Sequence, residues 1–123
     1  MSNILLVEAD AIVRNLMIRV LSGRGFTVYE AASSEEALAL CESVLADNKI
    51  DLLVADHPTT GRDVAQRILE LCANTKVLHV SGWPFEMVQR ENVLLPGSSF
   101  LQKPFTASQL ANAIQDLLNP RTH

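Results

Sequence analysis

The stretch Ile50–Asp56, IDLLVAD, constrains the fold more than any other part of the chain. Ile50, Leu52, Leu53, Val54 and Ala55 are apolar with no alternation, the pattern of a parallel strand buried on both faces. The run ends on Asp56, followed by His57 and then Pro58, which breaks regular structure. Ile4–Val7 repeats the pattern and opens onto Glu8. Strands that are apolar on both sides need helices on both sides of the sheet. In such open α/β sheets, ligands and chemistry gather outside the carboxyl ends of the strands. Asp56 and Glu8 stand at such ends, where a carboxylate is a nucleophile, a metal ligand or a cap.

The segments between these runs supply the helices. After Asp10, Val13, Leu16, Met17, Val20 and Leu21 recur at helical spacing, and Gly23 and Gly25 end the pattern. Asp10 has the position of an N-cap or first-turn acid. The connecting Glu8-Ala9-Asp10 contains no glycine, which excludes the glycine-rich phosphate cradle of nucleotide-binding folds. Phe26–Ala31 alternates and suits an edge strand. Ser33-Ser34-Glu35-Glu36 reads as a capping box opening a helix with Ala37, Leu40, Cys41, Val44 and Leu45 on one face. Thr60-Gly61-Arg62-Asp63 starts another, whose expected buried stripe is Val64, Ile68, Leu71 and Cys72. Lys76–Val80 is a fourth strand ending on Ser81-Gly82, and Phe85–Arg90 is a short, weakly patterned helix. Phe100–Gln102 makes a short fifth strand leading to Lys103-Pro104-Phe105. Thr106-Ala107-Ser108-Gln109 is a second capping box, and Leu110, Ala113, Ile114, Leu117 and Leu118 form an amphipathic stripe that Pro120 stops.

Strands alternating with helices predict a flavodoxin-like, doubly wound sheet of five parallel strands in the order 2-1-3-4-5. That order brings Glu8, Asp56, Ser81 and Lys103 to one crevice. Two carboxylates, a hydroxyl and an ammonium suit a divalent cation and a phosphoryl group. With 123 residues, 48% of them hydrophobic, the chain has enough apolar surface for one domain, which is expected to span residues 1–123 with no output domain. A net charge of −4 without a Lys/Arg cluster argues against nucleic acid as a partner. No apolar run reaches the length of a membrane span, and no signal peptide is evident, so a cytoplasmic location is expected. Cys41 and Cys72 fall on apolar helix faces and are expected as buried thiols. His57 is expected as a solvated loop residue and His79 as a hydrogen-bonded structural one. An enzyme on this fold would need a substrate pocket and an acid–base pair that the sequence does not supply.

The chain resembles the receiver domain of bacterial two-component response regulators over nearly its whole length. The resemblance is carried by ILLVE at Ile4–Glu8, DLLVAD at Asp51–Asp56, VSG at Val80–Gly82 and FLQKPF at Phe100–Phe105. The run GRDVAQRI, Gly61–Ile68, is most similar to receivers associated with hybrid sensor kinases. The resemblance implies that Asp56 accepts a phosphoryl group from a histidine kinase or histidine phosphotransfer protein. It implies that Ser81 and Lys103 contact that group, and that Glu8, Asp56 and the backbone carbonyl of Pro58 hold Mg²⁺. Phe100 would take the aromatic switch position, facing an unknown downstream protein together with Ser81. The Lys103–Pro104 bond is expected to be cis.

Two departures bear on this. The family pattern has two adjacent acids after the first strand, and here the second is Ala9, which offers nothing to a hard cation. The loop after Asp56 is short and lacks the Met-Pro-Gly turn. The expectation is therefore a phosphoaccepting receiver with weakened Mg²⁺ binding. The alternative is a degenerate receiver acting as a phosphorylation-independent protein-interaction module.

Overall fold

In the computed structural model, which describes residues 2–43, 49–57, 59–72 and 74–119, strands and helices alternate strictly along the chain. They are β1 (Asn3–Val7), α1 (Ala11–Gly23), β2 (Thr27–Ala31), α2 (Ser34–Glu42) and β3 (Leu52–His57). Then come α3 (Arg62–Leu71), β4 (Lys76–Ser81), α4 (Phe85–Arg90), β5 (Ser99–Gln102) and α5 (Ala107–Leu118). All pairings are parallel and the sheet order is β2-β1-β3-β4-β5, as the sequence predicts. No described helix is long and apolar enough to cross a membrane.

Alternation of side chains across the pleat divides the core in two. Ile4 and Leu6 of β1, Leu52 and Val54 of β3, and Leu78 and Val80 of β4 pack with Met17 and Leu21 of α1 and Leu110 and Ile114 of α5. The intervening Leu5, Val7, Leu53, Ala55 and Val77 pack with Ala37 and Cys41 of α2 and Ala65 and Ile68 of α3. Both faces of β1 and β3 are therefore covered, which is why neither strand alternates in sequence. Burying each such large side chain contributes roughly 1.5–3 kcal/mol. β2 lies at the edge, yet Phe26 and Val28 pack on one layer and Tyr29 and Ala31 on the other.

The strand boundaries shift slightly. Ile50 is buried but precedes β3, and Asp51 uses its carboxylate to accept from the Asn3 amide at 2.8 Å, tying the entries of β3 and β1 together. Asp10 is the N-cap of α1, accepting from the Ile12 and Val13 amides. Thr106 and Gln109 form a reciprocal capping box on α5. At α2 the box is not reciprocal. Ser33 accepts from the Glu36 amide, but the Glu36 carboxylate reaches past it to the Ala32 amide at 2.6 Å.

Two apolar positions lie outside the stripes expected of them. Leu71 is 44% exposed because it sits about 100° round the helix from Cys72, while Ala65, Ile68 and Cys72 face inward. Leu16 is 56% exposed on α1, where Met17 and Leu21 make the core contact. Val44 and Leu45, expected on α2, lie outside the described residues. Cys41 and Cys72 are buried free thiols; burial, with Cys72 beside it, pushes the Cys41 thiol up to about 12.

Candidate functional site

Residue parity fixes which strand-end groups meet. Glu8 continues the alternation of Leu6 beyond β1, and Asp56 continues that of Val54 within β3. Leu6 and Val54 are register partners, so the two carboxyl groups emerge side by side above the α1/α5 layer. Both residues are buried, Glu8 at 1% and Asp56 at 4% exposure.

Lys103 reaches them from the end of β5. Its amide donates to the Ser81 carbonyl at 2.7 Å, which ties the backbone to the end of β4. The following peptide bond to Pro104 is cis, and the chain then turns into the Thr106 cap. The Lys103 Nζ lies 2.5 Å from Glu8 Oε1 and 2.6 Å from Asp56 Oδ1. The two remaining carboxylate oxygens are also engaged. Glu8 Oε2 accepts from the Asp10 amide at 3.1 Å, and Asp56 Oδ2 accepts from the Thr59 hydroxyl at 2.9 Å.

Electrostatics follows from this packing. Burial alone would lower the Lys103 pKa, but hydrogen bonds and charge from Asp56 and Glu8 outweigh it and hold the ammonium above its ordinary value. Burial raises the Glu8 carboxyl, against the pull of Lys103 and the Asp10 amide, and the Asp56 charge adds to the rise. The lysine is thus the group that makes two neighbouring buried acids tolerable.

Ser81 is at the neighbouring strand end and fully buried, but its hydroxyl accepts locally from the Trp83 amide at 2.9 Å. Among the described residues no side-chain hydrogen bond joins it to Asp56 or Lys103. Phe100 lies opposite His79 in register, with its ring 5.4 Å from that of Phe85 on α4. His57 corrects the expectation of a solvated loop residue. β3 runs one residue past Asp56, pairing His57 with Ser81. The His57 ring meets Trp83 edge-on at 4.5 Å, with both nitrogens buried and, among the described residues, unbonded. His79 is the hydrogen-bonded structural histidine expected, its Nε2 accepting from the Leu95 amide at 3.3 Å.

Sequence reasoning missed Thr59 and Arg14. A threonine three residues beyond a strand-end acid is the available signal for the first, since its hydroxyl can turn back on the carboxylate. Arg14 donates to the Glu8 carbonyl at 2.8 Å from the first turn of α1, for which the sequence gives no distinctive mark.

The donor set does not fit Mg²⁺. That ion takes oxygen donors in near-octahedral geometry. All four oxygens of Glu8 and Asp56 carry hydrogen bonds, Ala9 presents a methyl group, and Asp10 caps α1 through its Oδ1. Among the described residues, no three His, Cys, Asp or Glu side chains group as a metal site would require. Pro58, whose carbonyl was expected as a ligand, lies outside the described residues.

Comparisons with known proteins agree with this architecture. The profile of the response regulator receiver domain matches residues 4–115. The chain is 32% identical to the sensor kinase CckA of Brucella abortus, over 95% of its own length and 12% of that protein's. It is 30% identical to the transcriptional regulatory protein CpxR of Klebsiella pneumoniae, over 100% of its own length and 51% of the other. It therefore spans about half, or much less, of the curated relatives it matches. A response regulator receiver protein from Sinorhizobium medicae has the same fold, with a TM-score of 0.81 and 30% identity over 98% of this chain and 97% of that one. A family profile covering nearly the whole domain, on a parallel sheet of matching order, leaves one conclusion: this chain belongs to the response regulator receiver domain family of two-component systems.

Proposed function

We propose that this receiver accepts a phosphoryl group on Asp56 from a histidine kinase or histidine phosphotransfer protein. The observation that supports the reading is the ammonium of Lys103 in direct contact with Asp56 Oδ1 at a buried strand end. An Asp56 oxygen attacks phosphorus and the bond to the phosphohistidine nitrogen breaks. The donor ring leaves as neutral imidazole when its other nitrogen carries a proton. Lys103 shifts from the carboxylate to the phosphoryl oxygens, where a fixed positive charge stabilises the transferring group. The Ser81 hydroxyl accepts from the Trp83 amide and keeps its own proton for donation to the same group. Ser81 and Phe100 then alter the face formed by α4, β5 and α5, to which a downstream protein binds.

One observation favours a second reading. Ala9 stands beside Glu8 and is exposed, so the acid pair lacks a third carboxylate, as in a module that binds its partner without phosphorylation. Incubation with a small acyl phosphate, followed by intact mass measurement, separates the two. Phosphoryl gain by the wild type and none by Asp56→Asn is the expected result. A folded wild-type protein that gains no mass, from either the small donor or a phosphorylated kinase, would leave the interaction module as the function.

A further inference from the structure

We propose that the Lys103 ammonium is the resident cation of this site, and that the unphosphorylated protein excludes Mg²⁺ instead of binding it weakly. The inference rests on reading the cluster as the receiver's site, and it goes beyond the loss of one ligand at Ala9.

The argument is a count of donors and charges. Glu8 and Asp56 offer four oxygens, and each already has a partner: Lys103 on one oxygen of either acid, the Asp10 amide and the Thr59 hydroxyl on the others. The nearest further acid in the sequence is Asp10. Its Oδ1 accepts from two amides of the first turn of α1, at 2.9 and 3.2 Å. Asp10 does not group with Glu8 and Asp56 as a metal site requires among the described residues, and swinging its carboxylate towards them would give up those two cap bonds.

Burial adds a second reason. The side chains of Glu8 and Asp56 are 2% and 6% exposed, whereas that of Lys103 is 23% exposed, so the lysine is the member of the cluster nearest to solvent. Mg²⁺ dehydrates reluctantly and keeps several waters. To reach the acids it would have to displace the ammonium. It would leave that charge beside a dication with two carboxylates to share, where a third at position 9 would otherwise have balanced them. Lysine and metal are therefore competitors for the same oxygens, and the shortage of carboxylates decides in favour of the lysine.

The chain carries its own reporter. Trp83, its single tryptophan, bonds through its amide to Ser81 and packs on His57, the residue after Asp56. Mg²⁺ titrations of the unmodified full chain, read by Trp83 fluorescence, calorimetry and melting temperature, test the proposal. The wild type should show no saturable signal and no thermal stabilisation, because a cation that does not bind the folded state cannot stabilise it. Lys103→Gln, which frees one oxygen on each acid, should gain Mg²⁺ affinity by ~10-fold or more over wild type. Lys103→Arg, which keeps the charge, should not. Ala9→Asp with Lys103→Gln should bind more tightly than Lys103→Gln alone.

Saturable Mg²⁺ binding by the wild type, lost in Asp56→Asn, would overturn the proposal. A folded Lys103→Gln protein that gains nothing would overturn it too, placing the defect at Ala9 alone. Should Lys103→Gln not fold, the wild-type titration and melting curves still decide. None of these measurements involves phosphorylation. A wild type that neither binds Mg²⁺ nor accepts a phosphoryl group would overturn the proposed function and leave this inference standing.

Discussion

A histidine in the middle of a parallel sheet must stay neutral to stay buried. His79 is 1% exposed, and burial, with His57 nearby, lowers its pKa from 6.5 to about 4. The unfolded chain therefore binds a proton that the folded one refuses. Above pH 6.5 neither state carries it and His79 contributes no pH dependence. As pH falls from 6.5 towards 4, stability drains away by up to ~3 kcal/mol and then levels off. Urea titrations across that window should show a steeper loss for wild type than for His79→Gln, which keeps an acceptor for the Leu95 amide. Parallel slopes would contradict this. The roles of His79 and Asp10 were legible in the sequence, because a polar side chain inside an apolar run or ahead of a helical period has few options. Those of His57 and Thr59 were not. His57 depends on β3 running one residue past the acid, and the Thr59 contact on a backbone path that its spacing from Asp56 suggests but does not fix.

At the scale of elements, α4 and α5 differ in everything that holds a helix. α5 has a reciprocal cap and buries Leu110, Ala111 and Ile114. α4 has no side-chain cap and buries only Val88, leaving Phe85 and Met87 41% and 40% exposed. Local opening should follow that difference. Amides of residues 85–90 should exchange well before those of residues 110–118 in native-state hydrogen exchange, and equal protection would contradict the reading of α4 as the less firmly held of the two helices. The weak patterning of 85–90 was already visible in the sequence, and its bounds were read correctly. The stripes on α1 and α3 were read too broadly. Helical periodicity says which residues share a side, whereas the width of the buried strip depends on how closely the sheet approaches. Leu16 and Leu71 lie beyond that width.

For the whole molecule, the sheet lies between two separate apolar layers. Ile68 of α3 belongs to one layer and Ile114 of α5 to the other, and both are fully buried. Ile68→Ala and Ile114→Ala should each cost about 2–5 kcal/mol, and the double variant about their sum, since distant sites without shared partners add. Denaturant midpoints at constant slope would measure this; strong coupling would mean that the layers communicate through the sheet. The fold class was legible because uninterrupted apolar strands permit little else. The meeting of Lys103 with Glu8 and Asp56 was legible from the strand order; that one ammonium bonds both acids was not, because it depends on side-chain reach across three strand ends.

That bridge also has a kinetic meaning. Lys103 is separated from Glu8 by 95 residues and from Asp56 by 47, so closing these contacts requires nearly the whole chain to be in place. Contacts of such separation are costly in loop entropy and form late. In stopped-flow refolding, Lys103→Met should leave the folding rate close to wild type and place its effect in the unfolding rate. A slowed folding limb would show the cluster assembling before the barrier. If it assembles after, the residues that carry the chemistry take no part in finding the fold, and position 103 can vary without changing how fast the domain forms.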